Sequence, residues 1–130
     1  MKKGFVILGL LLMLVSTVFI LGCGAKAEKF GDAPAESDAK TSVGTILVNP
    51  QNYIGKDVVV GGLIASECPS GGWINVKDDS GSALYVEMHS ASFAPIPQRV
   101  GKKVIVKGMI YQTEDTPKET RILGKGLVIR

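Results

Sequence analysis

The sequence is poor in the side chains that do chemistry. Its 130 residues include one histidine, His89, and two cysteines, Cys23 and Cys68. A zinc site takes about four Cys, His or carboxylate ligands, so a single His and Cys with scattered Met do not make one. No Ser/His/Asp set, phosphate loop or HExxH motif is present, and each is the signature of a reaction class. Nothing in the chain calls for an enzyme or a cofactor. A surplus of charge is also missing. The chain carries 15 basic and 12 acidic residues, but Lys2 and Lys3 belong to an apparent leader; without them 13 basic residues face 12 acidic ones, a net charge of +1. A domain so close to neutral makes no electrostatic case for nucleic acid. The group Lys102, Lys103 and Lys107 reads most simply as a solvated strand face.

The sequence does have a leader. Met1-Lys2-Lys3 is cationic, residues 5–20 are almost continuously apolar, and Ile20-Leu21-Gly22-Cys23 follows. Charge, apolar run and a small residue at the cut is the order of a secretory signal peptide. A cysteine directly after the small residue marks the lipoprotein form, in which the Cys23 thiol takes a diacylglycerol and further acyl chains (palmitate among them) before the chain is held on a membrane. The alternative is an uncleaved anchor, since the run approaches the ~20 residues that span a bilayer. An anchor, however, has no need of Gly-Cys-Gly at its outer end. Residues 1–22 are expected to be the signal peptide, and the mature chain a lipoprotein of the cell membrane or outer membrane, facing the periplasm or exterior. With Cys23 consumed in a thioether, Cys68 has no internal disulfide partner.

Residues 23–41 are rich in small and charged side chains and lack apolar periodicity. Such a stretch buries too little surface to offset its ordering entropy, and it is expected to be a flexible tether. Residues 42–130 form the domain. Thr41 or Ser42 can cap a short helix over 42–48, and Pro50 stops it or reopens it as one more turn. Strands are expected at 58–65, which is β-branched and apolar, and at 72–77, 82–88, 104–112 and 120–129, from the turn and loop signals between them. Asp78-Asp79-Ser80-Gly81 is a strong turn with too few oxygens for calcium. Glycines inside the first, fourth and fifth strands suit a tightly coiled barrel. Five strands with an irregular link between the third and fourth give an all-β, five-stranded, OB-fold-like Greek-key barrel; a flattened sandwich is the alternative.

Several phrases carry a resemblance. They are Asn49-Pro50-Gln51-Asn52-Tyr53-Ile54-Gly55-Lys56 before Val58-Val59-Val60-Gly61-Gly62, then Gly72-Trp73 with Val76-Lys77-Asp78-Asp79-Ser80-Gly81, and Val100-Gly101-Lys102-Lys103-Val104 with Val106-Lys107-Gly108. From Val43 to Arg130 the chain resembles bacterial extracytoplasmic OB-fold lipoproteins of a domain-of-unknown-function family, grouped with the tRNA-anticodon-like and nucleic-acid-binding-like OB domains. The resemblance implies a fold more than an activity. Where such relatives carry a second cysteine before the tryptophan, this chain has Gly72, so no cysteine pair is implied. The haem chaperone of cytochrome c maturation shares the fold, but its histidine lies in a C-terminal motif that this chain lacks.

Candidate binding residues remain. Trp73, Tyr85 and Tyr111, with Lys77, suit the stacking platform on which OB-folds hold single strands or sugars; the aromatics suit a barrel core equally well. Trp73 alternates with Ile74 and Val76, and alternation alone does not say which set faces out. Cys68 and His89 are the candidates for a metal or redox accessory role, against an inert thiol and a solvated loop histidine. The leading expectation is a membrane-held binding or structural module for an envelope protein or small ligand. Metal or redox work through Cys68 and His89 comes second, and single-stranded nucleic-acid or oligosaccharide binding third.

Cys23→Ser should block processing. Intact-mass spectrometry should find 108 residues plus lipid in the wild type, and in the variant a retained apolar leader or a cut elsewhere. An unmodified Cys23 still joined to Gly22 in the wild type would show that the segment is a plain transmembrane anchor.

Overall fold

Alternation of β-branched residues builds the barrel. Val58 and Val60, Ile74 and Val76, Leu84 and Val86, and Val104 and Val106 are buried, while the residue between each pair is not. Period-two burial sends one face of each strand into a shared core and the other outward. The structure, a computed structural model, describes residues 26–89, 96 and 98–130. The leader, Cys23 and residues 90–95 of the irregular link expected between the third and fourth strands lie outside these residues. No helix among the described residues is long and apolar enough to cross a membrane.

The strands are β1 (Glu28–Gly31), β2 (Asp57–Glu67), β3 (Trp73–Lys77), β4 (Ala83–Glu87), β5 (Lys103–Gln112) and β6 (Thr120–Ile129). Neighbours follow the order β1-β6-β4-β3-β2-β5, and β5 closes back onto β6. β2 to β6 therefore form the closed five-stranded OB-fold-like barrel that the sequence predicts. All pairs are antiparallel except β4 with β6, which run parallel over Tyr85–Glu87 and Arg121–Leu123. A bulge leaves Lys125 without an opposite residue on β5, because Lys107 pairs with Gly126 and Gly108 with Gly124. Bulges bend and twist a strand, and this one lies where β6 curves from one partner to the next.

Helix α1 (Val43–Val48) buries Val43 and Ile46 in the same core as the strands. Ser42 occupies the N-cap position, yet its side chain makes no capping bond. The free amides are met from across the fold: Val43 donates to the Asp78 carboxylate at 2.7 Å and Gly44 to the Ser80 hydroxyl at 3.1 Å. Burial pushes the Asp78 carboxyl up, but bonds from Ser80, Val43 and Ser42 outweigh it and hold it below its ordinary value. The β3–β4 turn thus serves also as the helix cap. A 3-10 turn, Pro50–Asn52, follows the helix.

The segment expected to be a tether needs correction. Glu28–Gly31 pairs with Gly126–Ile129 of β6, and Phe30 packs against the core. The cause is the shortness of the β4–β6 pair. Beyond Leu123, β6 leaves β4 with an exposed edge of unpaired backbone groups, which is a liability, and β1 covers it. Ion pairs hold the cover in place: Glu28 accepts two bonds from Arg99, each 2.9 Å, and Asp32 meets Lys107 at 2.6 Å. Glu36 pairs with Arg130. Four residues of mixed polarity carry no legible apolar period, so the sequence alone hides this strand.

Gly126 makes the cover fit. A β-carbon there would lie 2.1 Å from the Asp32 carbonyl oxygen. Gly126→Ala should therefore cost about 1–3 kcal/mol, the usual range for overpacking, and should strip exchange protection from the β1 amides. Urea unfolding and hydrogen exchange check this; an unchanged midpoint with protected β1 amides would contradict the close approach.

Candidate functional site

The buried set in β3 and β4 decides which way the aromatics point. Ile74, Val76, Leu84 and Val86 are fully buried, so Trp73 and Asn75, and Tyr85 and Glu87, are on the outward face. On the neighbouring strands Ile110 and Ile122 are buried, which turns Tyr111 and Arg121 outward. Register then aligns them. Asn75 is opposite Tyr85, Tyr85 opposite Arg121, and Arg121 opposite Tyr111. One row crosses four strands, and Asn75 extends it to β2 by donating to the Ser66 hydroxyl at 2.9 Å.

The row is a stack. The Trp73 and Tyr85 ring centroids lie 5.4 Å apart at 27°, and the Arg121 guanidinium carbon sits 4.4 Å from the Tyr85 centroid. Glu119 holds Arg121 from the side through bonds of 2.6 and 3.1 Å. Hydrogen bonding to Glu119 raises the Arg121 pKa, and bonding to Tyr111 adds to it. Burial pushes the Tyr85 phenol up against the opposing pull of Arg121. An aromatic pair contributes about 0.5–1.5 kcal/mol beyond its buried area, and an exposed cation–π contact about 0.5–1. Truncating a core isoleucine costs about 2–5 kcal/mol. The fully buried core is the main support of the barrel, and the half-buried rings of the stack add a contribution of their own from its outer face.

The β2–β3 loop borders the stack. The Cys68 amide donates to the Trp73 carbonyl at 2.9 Å, and its half-buried sulfur lies 3.0 Å from the Ser70 hydroxyl. That hydroxyl, followed by backbone amides of the loop, holds the thiol below its ordinary value of 9.0. A carboxylate facing the thiol would act in the opposite direction, and Glu67 is adjacent in the chain. Glu67 instead turns away and accepts the amides of Arg99 and Val100 at 2.6 and 3.0 Å. His89 is exposed, with its ring Nδ1 2.9 Å from the Glu87 carboxylate. It lies over Gly72, where a β-carbon would come within 2.4 Å of the ring, so the position that could have held a second cysteine is occupied by the histidine. No group of three or more His, Cys, Asp or Glu side chains that could hold a metal occurs among the described residues.

The structure thus brings Trp73, Tyr85 and Tyr111 into one place and sets Cys68 and His89 beside them. Lys77 is not part of it. It stands at the far end of β3, beside a shallow groove also lined by Leu63, Val100 and Lys103. Arg121 and Glu119, which assemble the stack, were not picked out by sequence. Alternation with Ile122 could have turned Arg121 outward, but its place beside Tyr85 needs the parallel β4–β6 pair, which no local pattern announces.

The Cys68 thiol should ionise below its ordinary value, and Ser70→Ala should raise its midpoint by removing the leading cause. Alkylation rate against pH measures both; at pH 8 the variant should react more slowly. Equal midpoints would remove Ser70 from the explanation.

No family model matches the chain, and no curated protein matches it in sequence. Among solved structures it is similar to "OBody AM1L10 bound to hen egg-white lysozyme", with a TM-score of 0.50 at 20% identity, covering 74% of this chain and 98% of that one. At such identity the likeness is one of fold: the chain carries an OB-like barrel.

Proposed function

We propose that this chain is a lipid-anchored envelope protein whose barrel is a binding module and not an enzyme, and that its partner, a protein, docks on the row Trp73, Tyr85, Arg121 and Tyr111. One observation carries the reading: a tryptophan, a tyrosine and an arginine stacked side by side on the outward face of the barrel. Those three residue types dominate protein–protein hot spots. The face is the one that OB-folds commonly use, bordered by the loops after the first and fourth barrel strands. The similar OBody is held on a protein, lysozyme. The lipobox-like Ile20-Leu21-Gly22-Cys23 supports placement on the cell membrane or outer membrane, facing the periplasm or exterior, and the resemblance to bacterial OB-fold lipoproteins agrees with it.

A second reading rests on the same stack, since Trp73 and Tyr85 can also receive a sugar ring or a base. Local charge favours a neutral oligosaccharide over single-stranded nucleic acid. The cation of the row, Arg121, is already paired with Glu119, and Glu87 lies alongside. That is no funnel for a phosphate backbone.

Full-length lipidated protein should capture its partner from intact envelopes, and Trp73→Ala or Arg121→Ala should each weaken capture by about thirtyfold, the effect of a hot-spot residue. Urea unfolding confirms that the variants remain folded. Trp73 is the sole tryptophan, so its fluorescence also reports stacking when neutral oligosaccharides or a single-stranded oligonucleotide are added. Undiminished capture by both folded variants would exclude the row as the docking surface.

A further inference from the structure

The strand that covers the β6 edge also shortens the tether. The chain becomes part of the barrel at Glu28, five residues after Cys23. Five residues of fully extended chain reach at most about 18 Å, whereas a domain of about 100 residues has a radius of gyration near 13 Å. A lipid on Cys23 would hold the barrel within less than its own width of the bilayer, with the Glu28 end toward the membrane.

That end is suited to such a surface. Arg99 is locked onto Glu28, and Lys102 lies close enough to lower the Glu28 carboxyl further. The loop before β5 is braced and does not depend on lipid for its shape. Glu67 accepts the Arg99 and Val100 amides, and Gly101 and Lys102 exchange backbone bonds with Ile64. Val100 projects from it 60% exposed, with Leu63 at 46% nearby on the same groove. Lys26, Lys102 and Lys103 are exposed, and no ion pair engages them among the described residues. Charge and apolar tips therefore converge beside the anchoring point.

We infer that the barrel end formed by Val100, Lys102 and Lys103 beside β1 docks on the anionic phospholipid headgroups of the membrane that holds the chain. This rests on the lipid-anchor reading. Docking leaves the far end of β6, where Arg121 joins the aromatic stack, directed away from the bilayer. Free cations near an anionic surface each add attraction that decays within a Debye length. The apolar tip reaches only the headgroup boundary.

Full-length lipidated protein in vesicles of phosphatidylglycerol with phosphatidylcholine, or of phosphatidylcholine alone, tests it by amine acylation. Lys102 and Lys103 should react about fivefold or more slowly in the anionic vesicles, with high salt restoring the rate. Lys118, in the loop at the other end of β5, serves as the reference and should not change. The intact mass of the same sample separates the two claims. Equal reactivity in both vesicles with Cys23 lipidated overturns the docking surface and leaves the anchor standing. An unmodified Cys23 overturns the anchor and the docking surface together.

Discussion

The parallel pairing of β4 with β6, only three residues long, is the contact on which the rest of the molecule depends. It closes the barrel, and a closed sheet has no edge along the paired stretch. It puts Arg121 opposite Tyr85, which no antiparallel hairpin in the chain could do. Because it is short, it leaves one edge of the last part of β6 open while β5 holds the other, and β1 fills that edge. The stack on one side and the docked N-terminal strand on the other are both consequences of one brief parallel ladder.

The two consequences lie at opposite ends of β6. Arg121 stands near its start and Ile129, paired with Glu28, at its finish. At about 3.3 Å per residue the strand separates them by at most about 26 Å. The energetic division agrees with this arrangement. The buried Val, Ile and Leu of five strands and α1 carry the fold, and the row is left to small stacking and ion-pair terms.

The strands of the barrel were legible in sequence from β-branched runs, as in Val58-Val59-Val60 or Val104-Ile105-Val106, or from apolar stretches flanking a turn signal, as on either side of Asp78-Asp79-Ser80-Gly81, and each lies within a residue or two of its expected bounds. β1 was not legible, because Glu-Lys-Phe-Gly has no period to read and forms only against an edge created elsewhere. The helix cap was hidden for a similar reason: Thr41 and Ser42 are the local candidates, but Asp78, 35 residues beyond Val43, takes the Val43 amide. Trp73, Tyr85 and Tyr111 were legible as a possible platform, while their direction depended on knowing that Ile74 and Val76 are buried. Lys77 shares their strand face but sits four residues along from Trp73, which places it at the opposite end beside the groove. Cys68 shows the limit of adjacency. The neighbouring Glu67 is spent on the Arg99 and Val100 amides, and the Ser70 hydroxyl sets the thiol instead.

Trp73, Tyr85 and Arg121 form a stack on the outer face through the β4–β6 pair. Nuclear Overhauser contacts in the isotopically labelled protein test it most directly. The expected result is contacts from the Tyr85 ring to both the Trp73 ring and the Arg121 side chain, with an indole open to a soluble paramagnetic quencher. Contacts from the Trp73 ring to the buried methyl groups of Leu84 or Ile122, with the indole shielded from the quencher, would contradict it.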